Sequence, residues 1–119
     1  MNANLAVDLI GREPSVAVFD VRRHRGKTQL RGAVFYRHDH FMAASDLALP
    51  VSHDQVILVY ADNENASAGA VEKLRAYGFE RAEAIEGGLK SLEDAGARLE
   101  ETTQEQPLPT EPNAGIPLL

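Results

Sequence analysis

The segment Gln55-Val-Ile-Leu-Val-Tyr-Ala-Asp-Asn-Glu-Asn-Ala-Ser67 decides the fold. Gln55 to Tyr60 is a short apolar run rich in β-branched and aromatic residues, which predicts a strand buried on both faces. Ala61 to Asn65 is a polar break. Ala66 to Tyr77 shows helical periodicity and stops at Gly78, a residue suited to the left-handed position that ends a helix. Strand, tight loop and helix place the loop at the carboxyl end of a parallel strand. There the first turn of the helix offers free N–H groups and positive potential to an anion.

Outward from this unit, strands and helices alternate. Upstream, Asn4 to Gly11 reads as a helix capped by Asn2 or Asn4, with Leu5, Leu9 and Ile10 on one face. Ser15 to Phe19 is a first core strand, with Asp20-Val-Arg22 at its carboxyl end. Gly32 to Tyr36 is a second strand. Arg37-His-Asp-His40 follows as an extended polar segment, and Phe41 to Leu49 as a short helix stopped by Pro50. Downstream, Arg81 to Ile85 is a strand and Leu89 to Ala95 a helix with Gly96 as its cap. The pattern predicts an α/β domain over residues 1–99, with a central parallel sheet of four or five strands and helices on both faces. From Glu100 the composition changes. Residues 100–119 carry Pro107, Pro109, Pro112 and Pro117 with several acids, which predicts an extended or solvated Pro-rich acidic tail ending in Ile116-Pro-Leu-Leu119.

Composition bounds the function. A formal net charge of −6 on a chain of 119 residues argues against non-specific binding to nucleic acid or to an anionic membrane surface, while leaving room for a local basic patch. No apolar run approaches the roughly 18 residues of a membrane span. The start, Met1 to Asp8, lacks a basic segment followed by an apolar one, so no secretory signal is read and the cytoplasm is the expected compartment. The chain has no cysteine. Disulfides, thiolate metal sites and cysteine nucleophiles are therefore excluded.

Several pieces, in order, resemble the rhodanese-like domain of the sulfurtransferase superfamily. Phe19-Asp-Val-Arg22 is similar to the family's strand-end DVR, and Gln29-Leu-Arg-Gly-Ala-Val34 to its GHIPGAV. Ile57-Leu-Val-Tyr-Ala61 is similar to the strand that leads to the active-site cysteine. Gly78-Phe79 with Ala84-Ile-Glu-Gly-Gly-Leu89 is similar to its GF and EGG elements. The resemblance spans roughly residues 3 to 97 and implies a parallel sheet flanked by helices. It also implies where the family's functional residues fall. The cysteine position is Ala61, the basic position Ala66 and the serine position Ser67. Sulfur transfer needs a thiolate at the first of these, and alanine has no heteroatom. Asp62 and Glu64 add negative charge where an anion would sit, each opposing it by on the order of 1 kcal/mol or more. Asp62, Asn63 and Asn65 suit a turn and helix cap instead. The loop Ala61, Asp62, Asn63, Glu64, Asn65, Ala66, Ser67 thus reads as a degenerate active-site loop. The expected function is a catalytically inactive domain, without cofactor, that binds a protein partner or a small ligand. Family phosphatase chemistry falls with the same losses.

Other residues carry weaker signals. In an extended segment His38 and His40 would share a face and could grip a metal, with His24, Asp20, Asp62 or Glu64 completing the site. That alternative is a metal-assisted hydrolase or lyase, though two histidines after a strand are more often plain loop residues. A further alternative is a non-catalytic subunit of a sulfurtransferase system in which another chain supplies the cysteine. Arg22, Arg23, Arg25, Lys27 and Arg31 form a basic strip, either a solvated loop with Arg22 paired to Asp20 or a docking patch for an acidic partner. Asp20, Arg22, Arg23, Arg25, His38 and His40 are the candidate binding residues.

Overall fold

The computed structural model describes residues 1–109. Its elements are α1 (Ala3–Arg12), β1 (Ala17–Asp20), β2 (Thr28–Leu30), β3 (Val34–Phe35), α2 (His38–Ala43), β4 (Ile57–Tyr60), α3 (Glu64–Ala76), β5 (Ala82–Ala84), α4 (Gly88–Asp94) and β6 (Leu99–Glu101). Four strands form a parallel sheet in the order β3-β1-β4-β5, and β2 pairs with β6 in a separate antiparallel ribbon. The α/β architecture with a central parallel sheet therefore stands as the sequence predicts, with four strands.

Strand β4 is the axis of the domain. Each of its four residues is buried, because a central parallel strand is covered on both faces. The pleat then divides its side chains. Ile57 and Val59 enter a core with Phe19, Phe41, Val71 and Leu74, under α2 and α3. Leu58 and Tyr60 enter a second core with Ala3, Ala6, Val18 and Leu92, under α1 and α4.

Helix ends follow their sequence signals. Asn2 caps α1 by accepting the Leu5 N–H at 2.8 Å. Gly78, at φ 96°, ends α3. The Phe79 N–H donates to Leu74 O and the Gly78 N–H to Arg75 O, so two orphan carbonyls are satisfied.

Four expectations are corrected. Leu5 is not on the inner face of α1 but is 58% exposed, and Ala3 and Ala6 are buried in its place. The second strand shortens to Val34–Phe35, because Leu30 to Ala33 is a turn with Gly32 at φ 82° and the Ala33 N–H donating to Leu30 O. The stretch after Arg22 is not all loop, since Thr28–Leu30 pairs with Leu99–Glu101. Finally, the helix expected from Phe41 starts at His38 and ends at Ala43, so His38 and His40 are helical rather than extended.

The boundary drawn after Leu99 falls within β6. Residues 102–108 run on as an extended strap over the domain. The Thr102 N–H donates to Lys27 O, the Gln106 N–H donates to Phe35 O on the outer edge of β3, and Leu108 packs on the α2/α3 core. The Ile116-Pro-Leu-Leu119 end lies outside the described residues. Among those described, no helix is long and apolar enough to cross a membrane.

Candidate functional site

The loop after β4 closes on itself. Asn63 is the N-cap of α3, and its side chain accepts the Ala66 N–H at 2.8 Å. Ser67 is buried and donates its hydroxyl to Glu64 O at 3.1 Å. Asp62 turns away from the helix start. Its carboxylate accepts the Arg23 N–H at 2.5 Å and the His24 N–H at 3.2 Å, tying this loop to the one after β1. Ala61 is buried. A cavity of about 240 Å³ remains, lined by Ala61, Asp62, Glu64, Ser67, Ile85 and Gly88 among others. Gly88 is required there: its φ is 62°, and a Cβ would lie 3.1 Å from Ala61 O.

The carboxyl end of β1 holds a buried ionic network. Asp20 is fully buried, and Arg22 meets it in a fork, with Nε at 3.0 Å from Oδ1 and Nη2 at 2.8 Å from Oδ2. Planar guanidinium matches carboxylate in this geometry. Arg22 Nη2 also donates to Thr28 O at 2.8 Å. The Tyr60 hydroxyl donates to Asp20 Oδ2 at 3.0 Å and accepts the Leu30 N–H at 2.9 Å. Arg25 lies over the Phe35 ring, 3.5 Å from its centroid, and donates to Gln29 Oε1 and Thr103 O. Its Nε stands 3.5 Å from Asp20 Oδ2, an ion pair without a hydrogen bond. Gln29, fully buried, donates to Ala33 O and Glu100 and accepts the Thr103 N–H.

Electrostatics follow the burial. The Tyr60 phenol is pushed well up, first by burial and then by the Asp20 charge. Burial alone would lower the Arg22 guanidinium, but its hydrogen bond and Coulombic attraction to Asp20 raise it. Burial lowers Arg25, against the pull of Asp20.

The candidate binding residues therefore separate. Asp20, Arg22 and Arg25 come together, but inside the fold, where they hold the segment 22–31 against the sheet. The basic strip is not a continuous surface. Arg23 remains exposed and lies 3.8 Å from Asp39, which also pairs with Arg37 at 2.8 Å. His38 and His40 do not share a face, because side chains two apart on a helix diverge. His40 instead pairs with Glu105 at 2.9 Å, and His38 Nε2 is shielded without a partner. Among the described residues no cluster of His, Asp and Glu is placed to hold a metal. The sequence reading missed Tyr60, Gln29, Glu100, Thr103 and Glu105. Their roles depend on contacts 30 to 74 residues apart in the chain, which no local pattern signals.

No protein-family model and no curated protein matches this chain. Solved structures do. The crystal structure of the Alr3790 protein from Anabaena sp. has a TM-score of 0.70 at 26% identity, over 84% of this chain and 90% of that one. The solution structure of the rhodanese-like domain of the same Anabaena protein has a TM-score of 0.72 at 22% identity, over 100% of this chain and 92% of that one. SseA from Escherichia coli, described as a 3-mercaptopyruvate sulfotransferase with the rhodanese fold, has a TM-score of 0.65 at 22% identity, over 92% of this chain and 52% of that one. A strand, loop and helix at the centre of a four-stranded parallel sheet, seen beside these likenesses, give this chain the rhodanese-like fold in a variant that carries no cysteine.

Proposed function

We infer that this chain is a non-catalytic rhodanese-like module that binds a protein partner through the face around Ala61 to Ser67. One observation carries the reading: the loop holds no thiol, and its own side chains have taken over the anion cradle. Ala61 offers no heteroatom, Asn63 occupies the Ala66 N–H, and Asp62 is engaged by the Arg23 and His24 N–H groups. The remaining cavity of about 240 Å³ is below the roughly 300–1,000 Å³ of ordinary small-ligand sites. The exposed rim of Asp62, Asn63, Glu64 and Asn65 is contiguous and acidic, which suits a basic segment of another protein.

Two measurements test this. Purified protein is assayed for sulfur transfer from thiosulfate to cyanide, with no turnover above a protein-free control expected. Sustained turnover by the wild type overturns the reading. The full chain, a version ending at Pro109 and Glu64→Lys are then used as baits in lysate of the source cell. Capture of the same partner by the first two, lost with Glu64→Lys, supports the loop face. Loss on truncation moves the contact to the C-terminal residues. A captured partner bearing a reactive cysteine would make the chain a subunit of a sulfur-transfer system.

A further inference from the structure

The geometry points to a second site, where a cleft between α1 and the β2–β6 ribbon binds an aliphatic carboxylate. The cleft has a volume of about 400 Å³ and is walled by Val7, Ile10, Leu30 and Ala97, with Arg31 and Arg98 on its rim. It shares no residue with the loop after β4. Its volume lies within the usual range for small-molecule sites, and such sites combine apolar walls with a few placed polar groups.

The two arginines make the cleft specific. Leu30 pairs with Leu99, and the Arg31 N–H donates to Arg98 O at 2.9 Å. Arg31 and Arg98 are therefore directly opposite each other on the ribbon, with side chains on one face. Like charges in that position repel. In a chain of net charge −6 a carboxylate would be the natural neighbour. Yet among the described residues neither guanidinium has an ion pair or a side-chain hydrogen bond. The other arginines do: Arg12, Arg22, Arg23, Arg25 and Arg37 meet carboxylates, and Arg75 and Arg81 meet carbonyls. Glu100, two residues from Arg98 in the chain, is engaged by Gln29 Nε2 and the Gly32 N–H.

The carbonyl ends of α1 and α4 also reach this region and attract cations. Those carbonyls are bonded by the Glu13, Gly96 and Ala97 N–H groups, not by the guanidiniums. Two unpaired guanidiniums beside an apolar cleft are complementary to one kind of ligand, a carboxylate with a hydrocarbon tail. The planar forks take the carboxylate, and the tail displaces water from Val7, Ile10 and Leu30.

The test is calorimetric titration of the full chain with decanoate, below its micellar concentration, beside decanol and decyl phosphate. Two variants accompany it. Arg31→Gln with Arg98→Gln removes both charges at exposed positions. Gly11→Leu adds bulk at a residue lining the cleft, where a Cβ meets nothing within 4 Å and so does not clash with the fold. Saturable one-to-one binding of decanoate is expected, at least tenfold weaker in both variants, with decanol at least tenfold weaker on the wild type. Thermal melts of the variants should match or exceed the wild type. Failure of decanoate to bind, equal binding of decanol, tighter binding of decyl phosphate, or affinity unchanged in the double glutamine variant would each overturn the proposal.

Discussion

At the scale of single residues, Asp20 and Ala61 set the character of the molecule. Asp20 is a fully buried carboxylate held by Arg22 and Tyr60. Asp20→Ala leaves the Arg22 guanidinium buried without its partner, which costs about 3–5 kcal/mol in denaturant titration. Tyr60→Phe strands the buried Leu30 N–H and takes one donor from Asp20 Oδ2, which keeps those of Arg22, at about 1–3 kcal/mol. The tyrosine also gives a pH signature. Its folded pKa is raised above the ordinary value near 10.0, so the unfolded chain loses this proton first as pH rises. Its contribution is complete below about pH 10 and is lost progressively above it. Wild type should therefore lose stability above pH 10 more steeply than Tyr60→Phe, as measured by melts across an alkaline series. Ala61→Cys tests the loop in another way. It restores a thiol but leaves Glu64 and the engaged Asp62 in place, so thiosulfate–cyanide transfer should stay at background. Turnover by this single variant would mean the loop still cradles an anion.

At the scale of elements, short polar side chains fix where α1 and α3 begin, and glycines fix where α3 and α4 end. Asn63 accepts the Ala66 N–H and is the start of α3. Asn63→Ala should destabilise the domain by about 0.5–2 kcal/mol, seen as a lower urea midpoint with an unchanged slope. Gly11 is the penultimate residue of α1, with no positive φ and open space for a Cβ, and Gly11→Ala should add about 0.4–1 kcal/mol. These ends were legible to within two residues because capping is local: Asn2, Asn63, Gly78 and Gly96 act within a turn of their own position, while periodicity alone began α3 at Ala66 rather than Glu64. The start of α2 was not legible. His38 and Asp39 have modest helix propensity, and the turn forms because Phe41 is buried between Tyr36 and α3. Once those residues are helical, the two histidines diverge and the metal reading loses its geometric basis.

At the scale of the whole molecule, the strap of residues 102–108 completes the fold. It covers the outer edge of β3 through the Gln106 N–H and reaches Gln29, Arg37 and His40 through Thr103 and Glu105. An uncovered strand edge invites pairing with another chain. A chain ending at Leu99 loses the strap and two residues of β6. It should lose about 2 kcal/mol or more, a fall in Tm on the order of 5–10 °C, and should self-associate in size-exclusion chromatography. A chain ending at Pro109 retains every contact described and should melt with the full-length protein. Equal melting of all three would show that the strap is not part of the folding unit.

The sequence by itself determined the parallel α/β plan, the central buried strand, the capped helix after it and the absence of a thiol nucleophile. All of these rest on residue type and short-range period, which need no knowledge of distant contacts. Tertiary structure alone decided that Arg22 is buried and Arg25 largely so, that Glu100 to Leu108 packs on the domain, and that Arg31 and Arg98 stand side by side at an apolar cleft. Those outcomes depend on which segments meet in space. A charge is solvated, paired or stranded according to a neighbour that lies 70 residues away as readily as one beside it.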